Sequence, residues 1–586
     1  MAEANLETRF QRKGTLIHKK LLEYLPALIV TNMSTFLLLS VDGLVVGNLI
    51  GAEALSAVNI FYPVTIFIGA ATAILSTGAS SALSTCMGKN NIDGIRVLKK
   101  AVRNLSIIGT MIISVVQIPL VYLLIALYHL PADLNQLTWL YAIGIMISTP
   151  FSVISTVATY QLQIVGKSKS LMWLTAVEGL SNLLLNLLFI SVFHMGVMGA
   201  SMGTACACLI RCTLSVIYIS RRTDLLKFGD ARVSMSDVKE IISSGLPEAS
   251  NLAIAALQNY CMMSILVIAF GSDGGVIKGV VTFCYNIVNI FMSGVQGSMR
   301  PLSGLLAGSD DRKGLRQLVS NSLRILFIGA VALTVVIELI PGVFYQLHGI
   351  TDIPDGGILS LRLGVLSFAF TGVCALFRQY FTNRKDKRFT IALTWLGNAT
   401  LPLFAFILLK TMAPPFIWLS FLFGDVLIVI IYLFRYRSRV KKDFELEHPT
   451  DKRIYLSVDP DEAVDASHLV QKIGMEGGFP KKVVYRVKLC MEEMVAYVAA
   501  AHKKSKLHLH LPEHKDEKVD IQIDVLFSGN SARVSILDDG ERVELVDDLD
   551  INRLTIDNYE MMEKIATTID YQYILEMNFF VLTFQE

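Results

Sequence analysis

The sequence predicts an all-α polytopic membrane protein, with twelve transmembrane helices in two six-helix repeats, followed by a C-terminal α+β sandwich domain. Three observations predict it. Of 586 residues, 53% are hydrophobic and only 17% are charged, against about 25% charged in a typical soluble domain. The deficit is uneven: charges are sparse up to about residue 435 and dense beyond it, which separates a large membrane part from a small soluble one. The apolar part also repeats itself at an offset of about 220 residues.

The chain opens with a polar segment, MAEANLETRFQRKGTLIHKK, which lacks the apolar core and cleavage site of a signal peptide. Apolar runs of roughly 20 residues, the length a bilayer core requires, then fall near 24–48, 55–86, 104–128, 138–163, 171–193, 197–219, 242–270, 276–306, 320–346, 358–381, 389–410 and 415–435. These runs lack the polar stripe at period 3.6 that a soluble helix would show. The resulting division is an N-terminal segment 1–22, a first lobe 23–220, an inter-lobe loop 221–240, a second lobe 241–436, a charged linker 437–453 and a tail domain 454–586.

Alternate loops carry the basic residues: Lys89, Arg96, Lys99, Lys100 and Arg103; Lys167 and Lys169; Arg221, Arg222 and Lys227; Arg312, Lys313 and Arg316; Arg384, Lys385, Lys387 and Arg388. Among the intervening loops Lys278 and Lys410 are the exceptions. The positive-inside rule then places the basic loops and both termini in the cytoplasm. A net charge of +2 argues against a nucleic-acid partner. The eight cysteines form no CxxC pair and no Cys/His cluster at metal spacing, and read as small core residues.

The repeat is visible in its turns. GKNNIDGIRVL (88–98) is answered by GSDDRKGLRQL (308–318), so Gly88 matches Gly308, Gly94 matches Gly314 and Arg96 matches Arg316. GAEALSAV (51–58) is answered by GSDGGVIKG (271–279), and Pro26 and Pro247 lie in the first spans of the two halves. Six spans per half keep both in one orientation, and paired repeats of this kind commonly rock about a central cavity.

Against this background Asp42 stands out, a carboxylate at the end of an apolar run from Leu25 to Val41. On insertion scales such a group costs about 2.5–3.5 kcal/mol near a helix centre. Intramembrane acids are functional by default, and burial raises their proton affinity. The bland reading is a hydrated residue near the outer surface. In the fifth span, VEGLSNLLLNLLFI, Glu178, Asn182 and Asn186 recur every four residues and so share one helix face. Glu178 reads either as a second proton carrier or as one half of a salt bridge with a neighbouring helix. Arg378 is expected to snorkel to the headgroups, and Arg300 to pair between helices. Asp425, in the last span, has no assigned role.

Residues 20 to 435 resemble the multidrug and toxic compound extrusion (MATE) transporters. The resemblance rests on VDGLVVGNLIGAEALSAVNIFYP (41–63), TGASSALSTCMGKNNIDGIRVLKKA (77–101), SGLPEASNL (244–252) and GVQGSMRPLSGLLAG (294–308), in that order. It implies export of organic cations and drugs, driven by a proton or sodium gradient. It also implies that Asp42 is the coupling site, with Asn182 in the first-lobe site and Tyr141 and Thr204 completing the pocket. Asn186 stands where some relatives carry a second aspartate, which favours H+ over Na+ as the coupling ion.

In the tail, strands are expected at IYLSV (454–458), VDIQIDVLF (519–527), RVSILDD (533–539), DYQYILEM (570–577) and FFVLTF (579–584). Helices are expected at 468–475, 481–504 and 559–569. Helices followed by antiparallel strands make an α+β sandwich. MEEMVAYV and ILDDGERVE resemble the nucleotide boxes of the histidine-kinase-type (GHKL) ATPase fold, in its anti-sigma-factor kinase branch, which also suggests a bacterial source and hence the bacterial inner membrane. The resemblance implies Glu493 as general base, Asp538 with Gly540 as the adenine-reading box, and Asn578 as a late asparagine of that branch. Two departures weigh against ATP hydrolysis. Tyr497 replaces the magnesium-holding asparagine, and TIDNYEMM (555–562) has no glycine with which to close over phosphates.

The favoured function is therefore a secondary antiporter, not an enzyme, with a degenerate tail that regulates it or docks a cytoplasmic protein. A membrane sensor and a lipid-precursor flippase on the same fold are the alternatives.

Overall fold

The computed structural model describes residues 10, 14–128, 131–222, 233–271, 273–348, 350, 352–445, 451–508, 520–540, 542 and 561–586. Side chains at 37–44, 48, 52, 168, 220–222, 442–445 and 500–508 are outside the described set. The membrane part is all helix: α1 Thr15–Leu49, α2 Ala52–Gly88, α3 Ile92–Tyr128, α4 Ala132–Ile164, α5 Ser168–Leu187, α6 Gly196–Arg222, α7 Met235–Phe270, α8 Asp273–Gly308, α9 Arg312–Leu339, the short α10 Pro341–Leu347, α11 Gly357–Val365, α12 Phe368–Asn383, α13 Lys387–Thr411 and α14 Leu419–Glu445. Among the described residues, eleven helical stretches are long and apolar enough to cross a membrane, with α11 and α12 counting as one. The first predicted span lies on α1, part of whose side chains is outside the described set. Prolines 26, 63, 119, 150, 247, 301 and 402 all lie inside helices, as membrane helices allow where neighbours re-satisfy the freed carbonyl.

Within the first lobe α4 packs on α6 and α2, and α5 packs on α6 and α1; in the second, α7 packs on α13, and α8 and α12 pack on α9. Between lobes α2 lies along α7 and α8, while α1 lies along α8. The repeated glycines sit at that seam. A Cβ on Gly88 would overlap the Leu305 carbonyl, and one on Gly308 would overlap the Thr85 carbonyl. Glycine is thus required twice by one close approach of two backbones. The following turns match too: Asn90 and Asp310 are both left-handed, at φ 55° and 56°. Asn91 Oδ1 accepts from the Gly94 N–H (2.9 Å) and Asp311 Oδ1 from the Gly314 N–H (2.8 Å).

Buried polar groups also cross the seam. Ser81 Oγ donates to Asn383 Oδ1 (2.6 Å), whose Nδ2 donates to Ser303 Oγ (2.5 Å), and Gln163 Nε2 donates to the Gly297 carbonyl (2.8 Å). Arg300 bonds Gln379 (3.2 Å) and lies 4.9 Å from the Tyr160 ring of the other lobe. Arg378 does not snorkel as expected. It turns inward to Glu248 (3.3 Å) and Asn251 (3.0 Å), because an ion pair between α12 and α7 satisfies the guanidinium without reaching the headgroups.

The tail consists of β1 Lys452–Val458, α15 Ala463–Glu476, α16 Lys481–His508, β2 Ile521–Ser528, β3 Ser531–Asp538, β4 Thr568–Ile574 and β5 Met577–Gln585. Its five strands form one antiparallel sheet in the order β1-β2-β3-β5-β4. Two expectations are corrected here. The helix expected to run to 569 gives way by Thr568 to β4, whose Tyr571 ring packs tilted against Phe580 of β5, 4.7 Å between centroids. The β4–β5 turn is Leu575–Glu576 and not residue 578, so Asn578 lies within β5, opposite Asp538. Both turn residues have positive φ (57° and 55°) although neither is glycine or asparagine, a conformation that costs about 1–2 kcal/mol per residue.

Both faces of β5 are apolar because both are covered. Phe580, Leu582 and Phe584 join the core beneath α15 and α16. Met577, Phe579 and Val581, with Leu537 and Leu575, join the core of the helical bundle together with Leu305, Leu306, Leu21 and Tyr24. The sheet therefore docks on one end of the bundle and touches both lobes. On the first lobe, the Tyr24 hydroxyl donates to the Leu575 carbonyl, Lys19 pairs with Asp539 (2.7 Å) and Lys167 with Glu576 (3.5 Å). On the second, Arg453 pairs with Asp310 (3.1 Å) while also holding Asp524 (2.5 Å), and Lys313 lies 5.7 Å from the Tyr455 ring. Upstream of α1, Phe10 is fully buried in the tail core, and its carbonyl accepts from the Ser457 N–H (2.9 Å).

Candidate functional site

Residues 182, 186 and 204 come together in the first lobe, at the contact of α5 and α6. Asn182 Nδ2 donates to Thr204 Oγ1 (2.9 Å), and Asn186 Nδ2 donates to Asn182 Oδ1 (3.1 Å). Both asparagines are fully buried. The four-residue spacing stacks them on one face, and α5 ends just beyond in a π-helical turn, Leu188–Val192, a device frequent at functional sites. Tyr141 is buried nearby in a separate cluster, edge-on to Phe61 at 5.5 Å, with Val46, Ile190 and Val197. Asp42 lies on α1, which packs against α5, but its side chain is outside the described residues.

Glu178, one turn before Asn182, is buried and ion-paired with Arg211 Nη1 (2.6 Å); Arg211 Nη2 donates to Thr159 Oγ1 (2.9 Å). Of the two sequence readings, this geometry has the salt bridge. Its partner lies 33 residues away on α6, beyond anything a local motif discloses. In the second lobe the Thr371 hydroxyl donates to Asp425, which links α12 to α14 beside the Arg378–Glu248 pair. Among the described residues no three His, Cys, Asp or Glu side chains converge to hold a metal.

In the tail, Asp538, Gly540 and Asn578 form one network. Asp538 Oδ1 accepts from Asn578 Nδ2 (2.8 Å) and from the Gly540 N–H (2.9 Å), and Asn578 Oδ1 accepts from the Tyr571 hydroxyl (2.8 Å). Asp538 is fully buried, and its Oδ2 has no hydrogen-bond partner among the described residues. Burial pushes its carboxyl up to about 6, against the pull of the Asn578 and Gly540 bonds and the charge of Lys20. Glu493, half-buried on α16, takes no part in this network, and Tyr497 is buried in the helix-side core.

Comparison with known proteins places the bundle. The MatE family profile matches residues 27–188. The chain is similar to the multidrug export protein MepA of Staphylococcus haemolyticus, 24% identical over 235 residues, 37% of this chain and 52% of that one. It is also similar to the probable multidrug resistance protein YoeA of Bacillus subtilis, 21% identical over 282 residues, 47% of this chain and 59% of that one. The chain thus spans a little over half the length of these curated relatives. A crystal structure of a mutant MATE superposes with a TM-score of 0.70 at 20% identity, covering 74% of this chain and 99% of that one. The outward-facing conformation of a multidrug resistance MATE transporter of the MOP superfamily superposes at 0.69, with the same identity and coverage. The bundle has the MATE fold. MATE transporters are secondary transporters and not enzymes, and the β-sheet tail is an addition to their fold.

Proposed function

We propose that the protein is a secondary active antiporter of the bacterial inner membrane that exports organic cations and other drugs in exchange for protons or sodium, and that its tail regulates the exchange. The observation that carries this reading is the buried Asn182–Asn186–Thr204 chain of hydrogen bonds on the MATE bundle, beside the helix that bears Asp42. A polar chain at membrane depth has no packing use that an apolar one would not serve better. In this reading Asp42 takes up the coupling ion, and Asn182, Asn186, Thr204 and Tyr141 shape its surroundings. The amides carry no charge of their own, which favours a proton over a bare sodium ion. The Glu178–Arg211 pair braces α5 against α6 and carries no ion. The likeness to a multidrug export protein and to a probable multidrug resistance protein points the same way.

With both termini in the cytoplasm, the docked tail sits over the cytoplasmic ends of both lobes. Separating those ends, as inward opening of paired lobes requires, breaks either the Tyr24–Leu575 contact or the Arg453–Asp310 contact. The tail therefore acts as a restraint on one half of the cycle, released by a nucleotide or a cytoplasmic protein. The Asp538–Asn578–Gly540 network suits the amino group of a purine; Tyr497 and the isolated Glu493 speak against hydrolysis.

Full-length protein in liposomes, loaded with ethidium under an imposed pH or sodium gradient, tests the reading. Gradient-driven flux is expected, collapsing in Asp42→Asn and under a protonophore. Flux indifferent to both gradients, or unchanged in Asp42→Asn, overturns it.

A further inference from the structure

A cleft of about 420 Å³, within the range of drug-sized sites, lies between the lobes away from the docked tail. Phe36 of α1 lines it from one lobe; Lys278, Gly279, Thr282, Phe283 and Asn286 of α8 line it from the other, with His348. The α8 residues sort into two ridges. Lys278, Thr282 and Asn286 recur every four residues and present hydrogen-bond donors; Gly279 and Phe283 form an adjoining row. A Cβ on Gly279 would meet nothing within 4 Å, so the space beside the lysine is open. Phe283 continues into an aromatic wall beside that ridge: Phe36 and Phe283 have ring centroids 6.3 Å apart, and His348 lies edge-on to Phe283 at 4.9 Å.

Among the described residues the charge in this cleft is unbalanced. Lys278 sits about five residues into α8 and thus about 7 Å along it from its start. Its ammonium donates to the Asn259 carbonyl (3.0 Å), and among the described residues no carboxylate pairs with it. The Asn286 amide makes no hydrogen bond to a described residue. His348 Nδ1 lies 2.8 Å from the Phe344 carbonyl, so that nitrogen carries the proton and donates. An ammonium with two unused N–H groups, a free amide and a hydroxyl, all beside an aromatic wall, match a ligand with a carboxylate at one end and a flat apolar body at the other.

We propose that this cleft binds aromatic carboxylates, zwitterionic drugs included, with Lys278 reading the acid group and Phe36 and Phe283 holding the ring system. This adds an acidic class to the substrates of the exporter proposed above and rests on that reading only in treating the cleft as part of the export path.

The test uses full-length protein in nanodiscs and two probes, 1-pyrenebutyrate and its methyl ester, with binding followed by fluorescence anisotropy. The acid is expected to bind at least tenfold more tightly than the ester. Lys278→Met should erase that difference while leaving ester binding in place, and Lys278→Arg should restore most of it. Equal binding of acid and ester, an acid preference that survives Lys278→Met, or binding of neither probe overturns the proposal. Ethidium export under a pH gradient, run in parallel, separates the two readings. Export without Lys278-dependent acid binding removes this inference alone. Lys278-dependent binding without any gradient-driven flux removes the antiport reading and leaves the site.

Discussion

Asp538→Asn is expected to make the tail more stable at neutral pH, an unusual outcome for deleting a buried charge inside a hydrogen-bonded network. The native carboxyl is raised from 3.8 to about 6, chiefly by burial, so the folded tail holds its proton more tightly than the unfolded chain does. A carboxyl shifted in this direction contributes full stability only below about pH 4. The contribution falls as pH rises toward 6 and stays lost above it. Two pKa units at about 1.4 kcal/mol each put the loss at roughly 3 kcal/mol. Asparagine has the same shape, keeps an oxygen to accept from Asn578 Nδ2 and the Gly540 N–H, and brings no charge into the core. Amide hydrogen exchange of β3 and β5 in the full-length protein, between pH 4 and 8, reads the opening free energy directly. The wild type should lose protection across pH 4–6 while Asp538→Asn stays level, with the curves separating by about 3 kcal/mol at pH 7.5. Parallel curves, or a variant less protected at neutral pH, would refute the reasoning. A stabilised variant would also mean that the native aspartate is retained at a cost, as a ligand-reading group would be.

Gly88→Ala should lower the melting temperature in detergent, because the new methyl overlaps the Leu305 carbonyl at the lobe seam and overpacking costs about 1–3 kcal/mol; Gly69→Ala, where nothing lies within 4 Å, should leave it unchanged. Glu178→Gln strands the buried Arg211 guanidinium and should destabilise by about 3–5 kcal/mol, with Glu178→Gln/Arg211→Met recovering most of it. Recovery of stability without recovery of proton-driven export would instead assign Glu178 a role in coupling. Tyr24→Phe removes the hydroxyl that meets the Leu575 carbonyl, a loss of about 1 kcal/mol. It should speed exchange at the β4–β5 turn and raise the export rate, and an unchanged rate with a loosened turn would show that the tail does not restrain transport.

The apolar runs disclose the helices because bilayer thickness sets their length, and the 220-residue repeat discloses the seam. Gly88 and Gly308 are alike in sequence because each must admit the other helix's backbone. Asn182, Asn186 and Thr204 were legible for a different reason: a four-residue spacing fixes a shared face, and the family resemblance supplies the third member. Asp538 and Asn578 are legible through the tail's family resemblance, and the structure pairs them across β3 and β5.

What escaped the sequence depends on contacts between distant segments or on a broken local rule. Arg211 and Arg378 find their carboxylates on other helices, at separations no pattern encodes. The β4–β5 turn was misplaced because Leu575 and Glu576 adopt a conformation that normally announces itself through glycine or asparagine. The docking of the tail left one trace. FFVLTF is apolar at consecutive positions, the mark of a strand covered on both faces, but nothing in it names the bundle as the second cover.

The burial of Phe10 in the tail bears on how the molecule is made. Phe10 precedes α1, yet its resting place is built from segments that follow the whole bundle, so α1 enters the lipid long before its leading segment can be seated. Until the tail strands have been made that aromatic side chain has no seat, and a bulky insertion beside it would disturb a domain more than 440 positions further along the chain.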